Sequence, residues 1–314
     1  MSARRFDTEV PAGGYRWWYI DANSDDGRYG LVIIAFIGSV FSPYYARARR
    51  REPTADPHAH CAVNVALYGD NRRWTMTERG PQALQRDAQH LRIGPSHLHW
   101  EGDALVIDLD EIGAPLPRRV CGQVRLFAPT LRADSFALDS DGHHRWQPIA
   151  PCARIEVRLD VPAMHWLGDA YCDSNSGDLP LEHSFSHWHW SRCTLRGGDT
   201  AVLYDVSGRD GARTALALHF DADGAQRRFD APPECTLPGT RWGIARSTRC
   251  ERGAPPQVRT LEDTPFYARS LLHTQLLGEP VRGVHESLDL TRFSSGWVQM
   301  LLPFRMPRRA HWHG

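Results

Sequence analysis

Residues Arg154 to Asp160 read RIEVRLD, with Ile155, Val157 and Leu159 apolar and Arg154, Glu156 and Arg158 charged between them. Side chains two residues apart share one face of an extended strand, so this spelling specifies a half-buried strand and argues against a helix. Cys61, Val63, Val65 and Leu67 repeat the pattern. Ala104–Leu109, Cys121–Phe127, Thr200–Val206, Arg213–Phe220, Arg241–Ser247 and Trp297–Leu302 are further strand candidates. Turn signals such as Asp70-Asn71, Asp141-Gly142, Gly197-Gly198, Ser207-Gly208, Asp223-Gly224 and Pro232-Pro233 separate them. Helical periodicity is nearly absent, and Arg79–Gln89 is the one short helix candidate. The expected fold is all-β and antiparallel. The strands outnumber those of one small barrel, so two packed β units are expected. The Pro148-Ile149-Ala150-Pro151 segment is the natural join, giving domains 1–150 and 151–314.

A chain of 314 residues can bury a large core in one or two domains. Its formal net charge is zero, which gives no reason to expect nucleic acid as a partner. Arginines cluster at 47, 49, 50 and 51 and again at 305, 308 and 309, as solvated faces or as contacts for anionic lipid. All 37 basic residues are arginine. With no lysine, an internal Schiff base and a P-loop are excluded, and no Gly-x-Gly-x-x-Gly motif supports a dinucleotide site. Chemistry without an organic cofactor is expected. The seven cysteines are dispersed and none forms a Cys-x-x-Cys pair. The opening MSARRFDTEV has no apolar stretch of signal-peptide type, so reduced thiols in a cytoplasmic protein are the expectation. The run from Leu31 to Phe41 is too short to span a bilayer, which indicates a soluble or peripheral protein.

Two regions concentrate groups able to do chemistry. Gly13–Tyr45 carries Tyr15, Trp17, Trp18 and Tyr19, then Asp21, Asp25 and Asp26, then Tyr44 and Tyr45. Asp139–Trp190 carries His144, Trp146, Trp166, Tyr171, Asp173, Asp178, Glu182, Trp188 and Trp190. Within the second, His144-x-Trp146 and Tyr171-x-Asp173 each present both side chains to one face of a strand. A carboxylic acid, an imidazole and electron-rich rings suit protonation of an alkene and stabilisation of the resulting cation. Such residues can equally be interior polar groups satisfied by the backbone. The histidines at 58 and 60, 97 and 99, 143 and 144, and 183, 187 and 189 show no recognised zinc spacing, so no metal is expected. His311 and His313 fall in a tail expected to fray. No Gly-x-Ser-x-Gly elbow or thiol-protease signature supports a hydrolase.

The chain resembles the carotenoid 1,2-hydratases, or hydroxyneurosporene synthases, of purple photosynthetic bacteria. The resemblance runs through GGYRWWYIDANSDDGRYGLVIIAFIGSVFSPYY, NVALYG at 64–69, MTERG at 76–80 and LDSDGHHRWQPIAP at 138–151. It continues through YCDSNSGDLPLEHSF at 171–185, WHWSR at 188–192, TLEDTPFYARS at 260–270, VHESLDL at 284–290 and LLPFRMPRR at 301–309. It implies a lipocalin-like fold in two halves. It also implies hydration of the terminal C1–C2 double bond of an acyclic carotene such as neurosporene or lycopene, in spheroidene- or spirilloxanthin-type biosynthesis. The family's His-x-Trp and Tyr-x-Asp set falls on His144, Trp146, Tyr171 and Asp173. Asp173 is then the proton donor, His144 its orienting partner, and Trp146 and Tyr171 the rings flanking the cation. Trp17, Trp18, Tyr44, Tyr45, Trp188 and Trp190 are expected to line the polyene. Asp25, Asp26, Asp178 and Glu182 are second-choice acids. The expected partners are the carotenoid, water and the inner or intracytoplasmic membrane surface, with no protein partner. A non-catalytic carotenoid carrier, or another cofactor-free terpenoid cyclase or isomerase, needs the same aromatic cavity and is the alternative.

Overall fold

Period-two spelling becomes strand almost throughout the computed structural model, which describes residues 4–253 and 255–309. His311 and His313 lie outside the described residues. The chain divides after Pro180 into two compact units, the first made of the residues up to Pro180 with those from Met300 on, the second of Leu181–Gln299. The Pro148–Pro151 segment lies inside a strand of the first unit.

The strands of the first unit are β1 (Tyr15–Ser24), β2 (Gly30–Ile37), β3 (Cys61–Tyr68), β4 (Arg73–Arg79), β5 (Leu84–Arg86) and β6 (His90–Ile93). They continue with β7 (Ser96–Glu101), β8 (Ala104–Ile112), β9 (Arg119–Phe127), β10 (Phe136–Ala137), β11 (His144–Val161) and β12 (Met164–Gly177). They form one sheet in the order β4-β3-β2-β1-β12-β11-β9-β8-β7-β6-β5, with β10 beside β11. A two-residue strand, Arg308–Arg309, adds to the outer edge of β4 and runs parallel to it. Ile20, Ile33, Val65, Ile107, Val124 and Val157 come from alternate positions of successive strands and meet in one apolar core. The sheet is curled in the lipocalin-like manner. β4 and β8 stand far apart in strand order, yet Arg79 donates to Glu111 Oε2 at 2.7 Å and Ser96 Oγ of β7 donates to Oε1 at 2.8 Å. Arg308 donates to Glu78 and to the Ala59 carbonyl, fastening the late strand to the edge of β4.

Helix α1 (Pro43–Arg51) starts at Ser42, whose hydroxyl accepts from the amides of Tyr44 and Tyr45, with Pro43 in the first turn. Three expectations are corrected here. Arg79–Gln89 is no helix: Arg79 ends β4, Pro81–Ala83 is a single 3₁₀ turn, and Leu84–Arg86 pairs with β6. Trp297–Leu302 lies in a helix, Gly296–Arg305, because its apolar positions also fit helical spacing with Val298 and Leu302 buried. In Arg241–Ser247 only the last two residues are extended in a strand.

In the second unit, β13 (Phe185–Thr194), β14 (Thr200–Gly208), β15 (Arg213–Phe220), β16 (Gln226–Arg228), β19 (Gln257–Asp263), β20 (Tyr267–Leu276) and β21 (Glu279–Asp289) form a seven-stranded sheet. β17 (Glu234–Leu237) and β18 (Arg246–Arg249) form a separate pair. The expectation of reduced thiols throughout is corrected here, because Cys235 and Cys250 form a disulfide. The pairing of β17 with β18 brings their Cα atoms to 6.3 Å, which separation along the sequence does not reveal.

The buried Arg79–Glu111 pair ties distant strands together, and removing one partner strands a charge. Arg79→Met is therefore expected to cost about 3–5 kcal/mol in urea unfolding. The double change Arg79→Met with Glu111→Gln should recover much of it.

Candidate active site

β12 lies between β1 and β11, and the two registers build a small grid of side chains. Tyr15, Gly177 and His144 form one row, followed by Trp17, Asn175 and Trp146. Tyr19, Asp173 and Pro148 form the third row, and Asp21 faces Tyr171 in the fourth. Residues directly opposite in antiparallel strands share a face, so these side chains all project to the same side of the sheet. Trp18, Ile20, Ala170 and Cys172 project to the other side, into the apolar core. Tyr15, Asp21, His144, Trp146 and Tyr171 have no solvent exposure, and Asp173 keeps only 3 %.

The Asp173 carboxyl is clamped from two directions. Trp146 Nε1 donates to its Oδ2 at 2.7 Å and the Tyr171 hydroxyl donates to the same oxygen at 2.8 Å. Phe136 packs on Trp146 at 5.5 Å, and Tyr19 meets Tyr171 edge-on at 6.4 Å. His144 Nδ1 bonds the Tyr15 hydroxyl at 2.8 Å, and the Tyr15 ring stacks on Trp17 at 5.0 Å. Burial pushes the His144 imidazole down to about 4, so it is neutral at pH 7. Gly177 makes this row possible. A Cβ there would stand 2.7 Å from Tyr15 Cε1 and 2.8 Å from His144 Nδ1. The expected set of His144, Trp146, Tyr171 and Asp173 thus projects from one face, with Trp146 and Tyr171 holding the acid and Tyr15 holding His144.

Other candidates sit elsewhere. Trp17 is on the grid, whereas Trp18 is turned into the core against Phe6 at 5.2 Å, because neighbouring residues of a strand face opposite ways. Tyr45 anchors α1, donating to the Gly14 carbonyl at 2.6 Å with Arg49 over its ring. Tyr44 is half-buried beside Arg308. Asp25 is a surface residue taken up by a bidentate bond from Arg154 at 2.7 and 2.8 Å. Asp26 caps its turn through Ser24 and the Arg28 amide, bonds that hold this exposed carboxyl below its usual range. Asp178 bonds His143 at the surface at 2.8 Å. Trp188, Trp190 and Glu182 belong to the second unit, where Trp188 packs against Phe185 and Tyr204. The grid also contains Tyr15, Tyr19, Asp21 and Asn175, which sequence reasoning did not select as site residues. Their period-two spacing along YRWWYID and YCDSN was the available signal.

Residues 33–314 match the sequence model of the family described as Carotenoid hydratase CrtC. The acyclic carotenoid 1,2-hydratase of Rubrivivax gelatinosus is 54 % identical over 312 residues, covering 98 % of this chain and 77 % of that one. That of Thiocapsa roseopersicina is 55 % identical over 307 residues, covering 97 % and 75 %. The chain belongs to the carotenoid hydratase family. Among solved structures, an AttH-type chain from Nitrosomonas europaea resembles this hydratase-family fold with a TM-score of 0.59 at 15 % identity, covering 88 % of this chain and 92 % of the other. Kievitone hydratase from Nectria haematococca gives 0.52 at 11 % identity, covering 89 % and 90 %. At those identities the likeness is one of fold.

Two outcomes follow for this carotenoid hydratase family member. Gly177→Ala should displace Tyr15 and His144 and lower turnover by tenfold or more, while Ser176→Ala, at the neighbouring half-buried residue on the other face of the strand, should not. The second concerns acid. A histidine in the unfolded chain titrates near 6.5, but His144 does so only near about 4. Between those values the unfolded chain binds the extra proton, so stability from neutral His144 is full above pH 6.5 and is lost as the pH falls. The loss is on the order of 3 kcal/mol. Unfolding free energies measured from pH 7.5 to 4.5 should show this slope, reduced by about one proton in His144→Gln.

Proposed function

We propose that the protein adds water across the terminal C1–C2 double bond of an acyclic carotene such as neurosporene or lycopene, giving a tertiary 1-hydroxy carotenoid. The reading is carried by the Asp173 carboxyl, buried among aromatic rings with two donors on a single oxygen. An isolated trisubstituted alkene is a weak base, so its acid must be held neutral and close. Burial disfavours the charged carboxylate. In the neutral acid Oδ2 is the carbonyl oxygen accepting both bonds, and the proton rides on Oδ1. Transfer of that proton to C2 breaks the π bond and leaves a tertiary cation at C1. The electron-rich rings of the grid stabilise this cation by about 2 kcal/mol each when desolvated. Water attacks C1 and forms the new C–O bond. Neutral His144, held by Tyr15, accepts the surplus proton of that water, which then returns to the Asp173 carboxylate. The sum is alkene plus water giving alcohol, with both residues restored.

Asp173→Asn should lower hydration by about 10²–10⁴-fold or more while leaving carotene binding intact, as read by pigment chromatography of a lycopene-producing host and by binding to carotene-loaded micelles. A variant that still hydrates would overturn the assignment of the acid. Pigment binding by the unaltered protein with no hydroxylated product would favour a carrier, and a product of unchanged mass a cyclase or isomerase. Trp146→Phe keeps a ring but loses the N–H, and turnover should fall by about tenfold, in keeping with one hydrogen bond to the reacting acid.

Peripheral contact with the membrane is part of this proposal, since the substrate dissolves in lipid. Among the described residues, no helix is long and apolar enough to cross a membrane. In the helix Gly296–Arg305, Trp297, Met300, Leu301 and Phe304 are exposed, Met300 by 70 % and Phe304 by 69 %. Their i, i+3, i+4, i+7 spacing makes one apolar stripe, the pattern of a helix lying in a lipid interface, and Arg305, Arg308 and Arg309 follow it. Co-sedimentation with anionic liposomes should be lost in Met300→Asp with Phe304→Asp and retained in Asp173→Asn.

A further inference from the structure

The outer face of the first unit carries a second cluster that the hydration chemistry does not use. His97 and His99 alternate with Leu98 and Trp100 along β7, and because the latter pair enters the apolar core, the histidines project outward. β8 pairs with β7 so that Asp108 lies opposite His97, and β6 pairs so that His90 lies opposite His99. Three neighbouring strands therefore deliver three imidazoles and a carboxylate to one patch. The rings stack at 4.5 Å for His97 on His99 and 5.3 Å for His90 on His97.

The hydrogen bonds around the cluster orient its nitrogens. His99 Nε2 faces Glu101 Oε1 at 3.0 Å. A carboxylate only accepts, so that nitrogen carries the hydrogen and the neutral ring keeps its lone pair on Nδ1. His99 Nδ1 is buried and has no hydrogen-bond partner. His97 Nε2 lies 3.2 Å from His90 Nδ1 and can donate to it, which leaves a lone pair on His97 Nδ1 as well. Asp108 Oδ2 stands 4.0 Å from each of these two Nδ1 atoms, while Gln123 holds the other oxygen, Oδ1, at 2.9 Å. With His97 Nε2 as the donor to His90, three electron-pair donors face one another with no donated hydrogen between them, an arrangement that a cation joining them relieves.

We propose that His97 Nδ1, His99 Nδ1 and Asp108 Oδ2 bind a divalent transition metal of the zinc class, with water completing a four-coordinate site. The three atoms lie within 4.8 Å of one another. Usual Zn–N and Zn–O lengths place tetrahedral ligands about 3.4 Å apart, so the ligand pairs must close by about 0.6–1.4 Å, with the two stacked rings turning toward the metal. The outer shell is in place. Glu101 holds the far nitrogen of His99 and is itself held by Arg125 at 3.1 Å, and Gln123 holds Asp108. The metal would staple β7 to β8 on the side of the sheet away from the core, a structural role independent of the hydratase reading.

The test is titration of the chelator-treated full-length protein with zinc chloride by calorimetry, with cobalt(II) as a spectroscopic probe. One equivalent of zinc should bind saturably, raise the melting temperature by a few degrees, and give cobalt(II) the strong visible bands of tetrahedral geometry. His97→Gln and His99→Gln should each abolish this phase. Glu101→Gln should weaken it by about 10–100-fold, and His165→Gln, at an exposed histidine elsewhere on the unit, should leave it unchanged. Absence of a one-equivalent phase, or its survival in both His97→Gln and His99→Gln, overturns the site. Should either variant fail to fold, the cobalt(II) spectrum of the unaltered protein decides. Tetrahedral bands support the proposal, and the weak spectrum of hydrated octahedral cobalt overturns it.

Discussion

The pairing of β1 and β11 on either side of β12 is the constraint on which the first unit rests. In antiparallel strands a shift of one residue exchanges the two faces completely. Here such a shift would send Trp18, Ile20 and Cys172 out of the core and bring Trp17, Tyr19 and Asp173 into it. Both sets are buried, so both faces oppose the slip, one by lost apolar contact and the other by stranded polar groups. The fold and the proposed chemistry are therefore held by the same register.

Burying an acid, an imidazole and several hydroxyls on one face works against stability. A polar group taken from water without a partner costs about 1–3 kcal/mol by mutational measures. The structure offsets this with short bonds inside the grid, Trp146 and Tyr171 to Asp173 and Tyr15 to His144. Further support comes from elsewhere in the same sheet, where Arg79, Ser96 and Glu111 draw strands together across the curl. A neutral His144 and a buried carboxyl clamped by two donors are the arrangement that the proposed proton delivery to a carbon would use.

Strands were legible wherever one face meets the core, since alternation records burial on that face directly. The Arg154–Asp160 spelling lies within β11 and Arg213–Phe220 coincides with β15. Helices α1 and Gly296–Arg305 were not legible, because Tyr44, Tyr45 and the apolar run after Trp297 satisfy either period. The i, i+2 pairs of the proposed site could be found because they lie within single strands. Tyr15 and Asp21 could not be ranked, since their importance depends on which residues of β12 and β11 they face. Asp25 and Asp26 looked like acids available for catalysis, yet Asp25 is taken up by Arg154, 129 residues away. The Cys235–Cys250 bond and the His97–His99–Asp108 cluster likewise depend on register between strands rather than on spacing along one.

The parallel strand Arg308–Arg309 has a consequence for the order in which the molecule is made. Its partner Glu78 lies 230 residues earlier, and the whole second unit is encoded between them. As the chain emerges from the ribosome, β1 to β12 can pair while the outer edge of β4 still presents open amides and carbonyls. The Glu78–Arg79 end of that edge is covered only when Arg308 and Arg309 arrive, after the second unit has been synthesised. The first unit thus begins to form before the second is made, and the Glu78–Arg79 end of its sheet edge stays uncovered until the second has been synthesised.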